Sequence, residues 1–197
     1  MAAEISVTDL DGKPLSGAVV EVYINGQETP PPDKVRVAQR DATFHPQTTI
    51  MPVGSQVVFP NQDTTRHHVF SFSQAKTFDL ELYLSETPEP VHFDTPGVVV
   101  LGCNIHDHMQ AFIVVSTAPY IGLTNAQGRL QLTDLPEGQH SVRVWHGRMD
   151  DSHAVWWEGN VSDAERLNVR VALNALPPEP SSLSPLQKRF QEANRAQ

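Results

Sequence analysis

A single cysteine, Cys103, stands among 197 residues, so no internal disulfide can staple the fold. Basic residues are scarce as well. Fourteen Lys and Arg against 23 Asp and Glu leave a net charge of −9, which removes nucleic acid as the main partner, because phosphate binding needs a positive field. Long apolar runs are missing: Gly97-Val98-Val99-Val100-Leu101-Gly102 is among the longest, far short of the roughly 18 residues of a spanning helix. No membrane span is therefore expected. Only three Trp, three Tyr and eight Phe stand against 16 Pro and 11 Gly, which points to short elements joined by turns. The first residues, Met1-Ala2-Ala3-Glu4-Ile5-Ser6, show neither the basic nor the apolar region of an export signal, which fits a cytoplasmic chain or a mature exported one.

What is present reads as β throughout. Ile5, Val7 and Leu10 lead into Asp11-Gly12-Lys13-Pro14, and Ala18-Val19-Val20-Glu21-Val22-Tyr23 follows; Asp-Gly between β-branched runs predicts a hairpin. A proline-rich connector occupies 26–34. Short strands are expected near 35–37, 49–51, 56–59, 68–72, 91–93, 98–101 and 111–115, a spacing typical of a sandwich or barrel. A further set follows near 121–124, 129–135, 140–145 and 167–173. In the tail, Ser184-Pro185 would cap a short helix with Leu186, Phe190 and Ala193 on one face.

The segment richest in chemistry is Gly102-Cys103-Asn104-Ile105-His106-Asp107-His108-Met109-Gln110. A thiol, two imidazoles and a thioether sit within seven residues between two apolar strands, and Arg66-His67-His68-Val69-Phe70 lies upstream. Taken alone, Cys103 is an inert buried thiol, a nucleophile or a metal ligand. A copper ion that cycles between two oxidation states wants a compromise set: a soft thiolate, imidazoles that suit both states and a weak axial thioether. Zinc would be served by Cys and two His and would ignore Met109. A Cys–His nucleophile would have no use for Met109 either.

The pattern Cys103-x2-His106-x2-Met109, with a His-x-Val strand upstream, resembles the type 1 copper loop of cupredoxins, in the short spacing of the amicyanin group. Phe44-His45-Pro46 and the run Gly54-Ser55-Gln56-Val57-Val58-Phe59-Pro60-Asn61 are similar to the segments that precede the first ligand there, and Phe93-Asp94-Thr95-Pro96-Gly97 to the turn before the Cys strand. The resemblance implies a Greek-key β-sandwich over 35–117, with His67 and His106 as imidazole ligands, Cys103 as thiolate and Met109 as axial ligand to one copper ion, Cu(I) or Cu(II). Three positions depart from the family: His68 replaces an Asn, His108 precedes Met109, and Asp107 sits beside His106.

Asp11-Gly12-Lys13-Pro14-Leu15-Ser16-Gly17 and Thr124-Asn125-Ala126-Gln127-Gly128 with Leu135-Pro136-Glu137-Gly138 resemble the two parts of carboxypeptidase regulatory-like (transthyretin-like) sandwiches. The expected organisation is thus a discontinuous sandwich of 1–26 and 120–173, a copper domain inserted at 35–117, and a tail at 174–197. This two-module pattern resembles that of exported proteins of the methylamine-utilisation-like or plastocyanin-like kind. The implied function is electron transfer in the periplasm with a redox partner protein, and no enzyme activity, since one His-x-His pair cannot build a trinuclear copper centre. The alternative is a copper carrier that binds the ion and hands it on; a structural module with a vestigial site is a third reading. His68 is expected to face away from His67, toward the surface or the other module. Phe70 and Phe72 are expected to pack against the host sandwich, His45, His92 and His140 to lie at the surface, and the tryptophans at 145, 156 and 157 to serve core or interface.

Overall fold

The computed structural model describes residues 3–106, 108–163 and 165–175. The regular elements within them are strands, in keeping with the all-β expectation, and none is a helix long and apolar enough to cross a membrane. The helix expected after Ser184 lies outside the described residues. In chain order the strands are β1 (Ala3–Asp9), β2 (Val19–Tyr23), β3 (Lys34–Arg36), β4 (Ala38–Arg40), β5 (Thr43–His45), β6 (Thr48–Pro52), β7 (Ser55–Val58) and β8 (His67–Ser73). They continue with β9 (Lys76–Tyr83), β10 (Val91–Phe93), β11 (Gly97–Gly102), β12 (Gln110–Ser116), β13 (Tyr120–Leu123), β14 (Arg129–Leu132), β15 (Gln139–Trp145), β16 (Trp157–Ser162) and β17 (Arg166–Val171).

A five-stranded sheet, ordered β6-β12-β11-β8-β9, faces a smaller sheet, β10-β7-β3. Alternation decides what lies between them. Val99 and Leu101 of β11, Ala111, Ile113 and Val115 of β12, Met51 of β6 and Val69 of β8 point inward and meet Val57, Phe59 and Phe93. Each such side chain contributes about 1.5–3 kcal/mol on burial. The opposite phase of the same strands is apolar too: Ile50, Val98, Phe112 and Val114 turn outward and pack on Val19, Trp145 and Trp156. Two apolar faces explain why 98–101 and 111–115 read as continuous hydrophobic runs rather than alternating ones.

Strands β4 and β5 pair with each other, and the remaining strands form β14-β1-β17 and β13-β2-β15-β16, around a core of Ile5, Val7, Val20, Val22, Leu132, Val142, Val144, Val161 and Val169. Here the hairpin expectation fails. The turn exists, with Gly12 at φ 83° and a bridge from Thr8 to Pro14, but β1 pairs with β14 and β17 while β2 pairs with β13 and β15. Gly17, at φ 73°, supplies a left-handed step on the way from one sheet to the other. Strands β4, β5, β9 and β16 were not read from the sequence, although Phe78 and Leu80 alternating with Thr77, Asp79 and Glu81 carried the signal for β9.

The Tyr83 hydroxyl ends β9 against β4 and the residue after β7, 2.9 Å from Gln39 Oε1 and 2.6 Å from the Phe59 carbonyl oxygen. Burial, set against a lowering by the Gln39 hydrogen bond, pushes its pKa from 10.0 up to about 12. The folded chain then keeps a proton that the unfolded chain has lost, so stability should fall as pH rises from 10 to 12. Alkaline melts of wild type and Tyr83→Phe check this: the variant, lower at neutral pH by about 1 kcal/mol, should lose less over that interval.

Candidate metal centre

Three adjacent strands bring their inward phase to one end of the sandwich. On β8 the inward residues are His67, Val69 and Ser71, and His67 is the last before the chain leaves the sheet. On β11 the phase Val99, Leu101 extends one step past Gly102 to Cys103, and on β12 the phase Ala111, Ile113 extends one step back to Met109. Gly102 pairs with both Phe70 and Gln110, so these three strand ends are held side by side. The connecting bend is closed by the Met109 amide donating to the His106 carbonyl oxygen at 2.8 Å.

Cys103 Sγ lies 4.0 Å from His67 Nδ1 and 3.9 Å from His106 Nδ1, and the ligand atoms of these residues all fall within 4.8 Å of one another. Donors bound to one ion at about 2.0–2.3 Å stand roughly 3.5–4 Å apart, so this spacing fits a single metal ion. The His67 and His106 rings are 5.0 Å apart, tilted by 46°. Met109 is 2% exposed and shares the core with Cys103, which is 5% exposed. His106 is half-buried at the mouth of the site. A thiol, two imidazoles and an adjacent buried thioether fit one copper ion better than zinc, because the sulfur donors are soft.

A residue missed by sequence reasoning orients the set. Asp63 Oδ2 is 2.7 Å from His67 Nε2; the carboxylate accepts, so Nε2 carries the proton and Nδ1 presents its lone pair to the cluster. Asp63 also accepts from the amides of Asp41 (2.7 Å) and Ala42 (3.0 Å), two residues with positive φ. Burial alone would raise its pKa, but the Ala42 amide, the His67 ring and the Asp41 amide together hold it below the ordinary carboxylate value. The signal available was a carboxylate four residues before His67 in Asn61-Gln62-Asp63.

Other expectations are corrected here. His68 does face away from His67, but it is 9% exposed rather than superficial, with Nε2 2.6 Å from Asp79 Oδ1 on the neighbouring strand. Phe70 and Phe72 are not part of the cluster that joins the two modules: Phe72 is 78% exposed, and the residues packed on Val19 and Trp145 from the five-stranded sheet come from β6, β11 and β12. His140 is buried, its Nε2 donating to the Pro136 carbonyl oxygen at 2.9 Å. His108 is exposed, its ring 6.0 Å from that of His106. Asp107 lies outside the described residues.

No family model and no curated protein sequence matches the chain. Its likeness is to solved structures of cupredoxins and of a copper enzyme. A copper-containing nitrite reductase from Thermus scotoductus SA-01 is 23% identical, over 57% of this chain and 28% of its own, with a TM-score of 0.40. A purple cupredoxin from Nitrosopumilus maritimus is 19% identical, over 42% of this chain and 99% of its own, at 0.36. Amicyanin from Paracoccus versutus is 16% identical, over 49% of this chain and 98% of its own, at 0.39. The likeness is one of fold, and the chain spans little more than a quarter of the reductase. That structure nevertheless corrects one expectation: a protein similar to this chain is an enzyme, so the reading that excluded enzyme activity is withdrawn.

Proposed function

We propose that the chain binds one copper ion through His67, Cys103, His106 and Met109 and passes single electrons to and from a redox partner protein. The observation that supports it most is the convergence of three inward strand phases and one bend on a thiol with two Nδ1 atoms 3.9 and 4.0 Å away. When bound, copper supplies a one-electron couple tuned by its thiolate and thioether neighbours. The protein's part is to hold the donors rigidly. His67 is fixed by Asp63, Cys103 and Met109 are fixed by the two strands they extend, and the surrounding Leu101, Ala111 and Phe59 exclude water. Half-buried His106 is the donor nearest solvent.

On the same reading the protein works in the periplasm. The partner would meet an acidic chain, so association should weaken with salt. The strand pairings support a division into a sandwich of 1–26 with 120–173 and an inserted copper domain at 35–117. One observation favours the carrier alternative: exposed His108, beside His106, offers an incoming or departing ion a further imidazole.

Titration of the metal-free protein with Cu(II) tests both. Electron transfer requires an intense visible band that saturates at one equivalent, fast reversible reduction and resistance to mild chelators. Weak colour with ready Cu(I) exchange would select the carrier, and absence of stoichiometric binding would end the copper reading. Asp63→Asn should keep the band but weaken copper binding by about 10- to 100-fold, the usual worth of an outer partner to a ligand His. Competition against a chelator of known affinity measures it.

A further inference from the structure

On β2 the residues that turn away from the core around Ile5 and Val20 are Val19, Glu21 and Tyr23, and their partners across β15 are Trp145, Arg143 and Ser141. The two modules meet over this face, and its character changes along it. Val19 and Trp145 pack on Val114 and Phe112, but two residues further on the facing pair is Glu21 and Arg143. There the modules part. A cavity of about 230 Å³ lies between Glu21, Tyr23, Arg143 and Trp156 on one side and Pro96 and Val115 on the other. It adjoins a cleft of about 490 Å³ through Trp156 and Pro96, where Gln74, Thr95, Ser152 and His153 add polar groups. Glu21 is 3% exposed, yet the cation opposite does not bond it. Arg143 Nε stands 3.8 Å from Glu21 Oε2 and 3.9 Å from Oε1 of exposed Glu158, and is buried with no hydrogen-bond partner among the described residues. What holds the guanidinium is Trp156, with Arg143 Cζ 4.2 Å from the ring centre. The Tyr23 hydroxyl donates to Glu21 Oε2 at 3.0 Å. Burial, the Glu21 charge and that bond, against the opposing Arg143 charge, hold the Tyr23 phenol above its usual pKa, so it stays a donor.

We propose that this junction cleft binds a carbohydrate, with hydroxyls of a pyranose ring bridging Arg143 and Glu21. The proposal goes beyond the copper reading and does not depend on it. Charge narrows the ligand first. Two carboxylates flank one guanidinium, so an anion would meet excess negative charge, while a cation would be confined beside Arg143. A hydroxyl group suits both neighbours, because one oxygen accepts from Nε–H and donates to the carboxylate. Placed about 2.8 Å from each, it spans the 3.8 Å gap that the two side chains leave between them. Water has the same chemistry, but the cavity far exceeds the roughly 30 Å³ that one water occupies. Its walls are also partly apolar: Trp156, Pro96 and Val115 offer the C–H face of a sugar ring a surface that water would not use. At about 230 Å³ the cavity is below the range of about 300–1,000 Å³ for drug-sized ligands and suits a single ring, with the adjoining cleft open to a second.

The test is NMR of the metal-free full chain, following backbone amides and the Trp156 indole, during titration with maltotriose, cellotriose and tri-N-acetylchitotriose. Glycerol serves as the polyol without a ring. Expected are saturating shifts at Glu21, Gly97, Arg143 and Trp156 with at least one trisaccharide, and none that saturate with glycerol. Glu21→Gln and Arg143→Lys should each raise Kd by about 10-fold or more, since each removes one side of a charged hydrogen bond. Glu137→Gln, an exposed carboxylate that lines neither cavity, should leave Kd unchanged. Thermal melts check that the variants fold; should Glu21→Gln fail, Arg143→Lys keeps the charge and carries the test. Lack of saturation with all three sugars, shifts centred elsewhere, or an unchanged Kd in both variants would overturn the proposal. So would saturation of the same amides by sodium acetate or putrescine and not by sugar, which would give the cleft to an ion. A chain that binds sugar and no copper would end the copper reading alone, and one that binds copper and no sugar would end this proposal alone.

Discussion

Cys103→Ser should fold and yet stay nearly colourless with copper. Serine has almost the shape of cysteine, and its hydroxyl would sit beside His67 Nδ1 and His106 Nδ1, so the buried position has polar partners for it. Loss of stability should therefore be small, on the order of 1–2 kcal/mol. The metal chemistry changes far more. An alcohol is not ionised at neutral pH and is a hard donor, whereas the thiolate is the soft ligand that suits Cu(I) and gives the intense thiolate-to-Cu(II) absorption. Copper affinity should drop by more than the roughly 10- to 100-fold assigned to an outer partner. Optical titration of the variant beside wild type, with a Cu(I) competition assay, measures both effects. A visible band that survives the substitution would remove Cys103 from the site, and the electron-transfer reading would go with it.

The difference between Cys103 and Asp63 marks what the sequence can disclose. Cys103, His106 and Met109 lie within one bend and His67 heads a β run, and the resemblance to the type 1 copper loop implied all four as ligands. Their convergence needs only that the inward phases of β8, β11 and β12 end at the same edge, which follows from alternation once the strands are neighbours. Asp63 stands outside any strand. Its use depends on a loop that folds back to meet Asp41 and Ala42 as well as His67, and no periodicity encodes that path.

Faces are legible, but coverage is not. Alternation placed His68, Phe70 and Phe72 on one side of β8, and the structure keeps them together. Whether that side meets the other module depends on where the module sits along the sheet, and it sits over β12 and β11. The failed hairpin has the same root. Asp11-Gly12 makes its turn, but a local turn cannot say which of several β partners a strand joins. Leu10–Ala18 is long enough to carry the chain from one sheet to the other.

Trp145→Ala should be the most damaging single change for stability. The side chain is 1% exposed, packs edge-on to Phe112 at 5.2 Å and lies 6.2 Å from Trp156, and its Nε1 donates to the His153 carbonyl oxygen at 3.2 Å. Truncation should cost about 3–5 kcal/mol, a large part of the roughly 5–15 kcal/mol that such chains possess. Its location gives the loss a signature. Trp145 belongs to a third cluster, with Val19 from β2 and Val114 from β12, so it is a principal tie between the two cores. With that tie intact, copper should raise a single unfolding transition, because an ion bound only to the folded state stabilises everything coupled to the site. In Trp145→Ala the transition should split in calorimetry, and copper should raise only the component that contains β6 to β12. Trp145→Phe, which keeps the ring contacts and loses the hydrogen bond to His153, should fall between. A single transition that still moves as a whole with copper in Trp145→Ala would mean that the two cores are joined through the paired backbone and polar contacts at their junction rather than through this aromatic cluster.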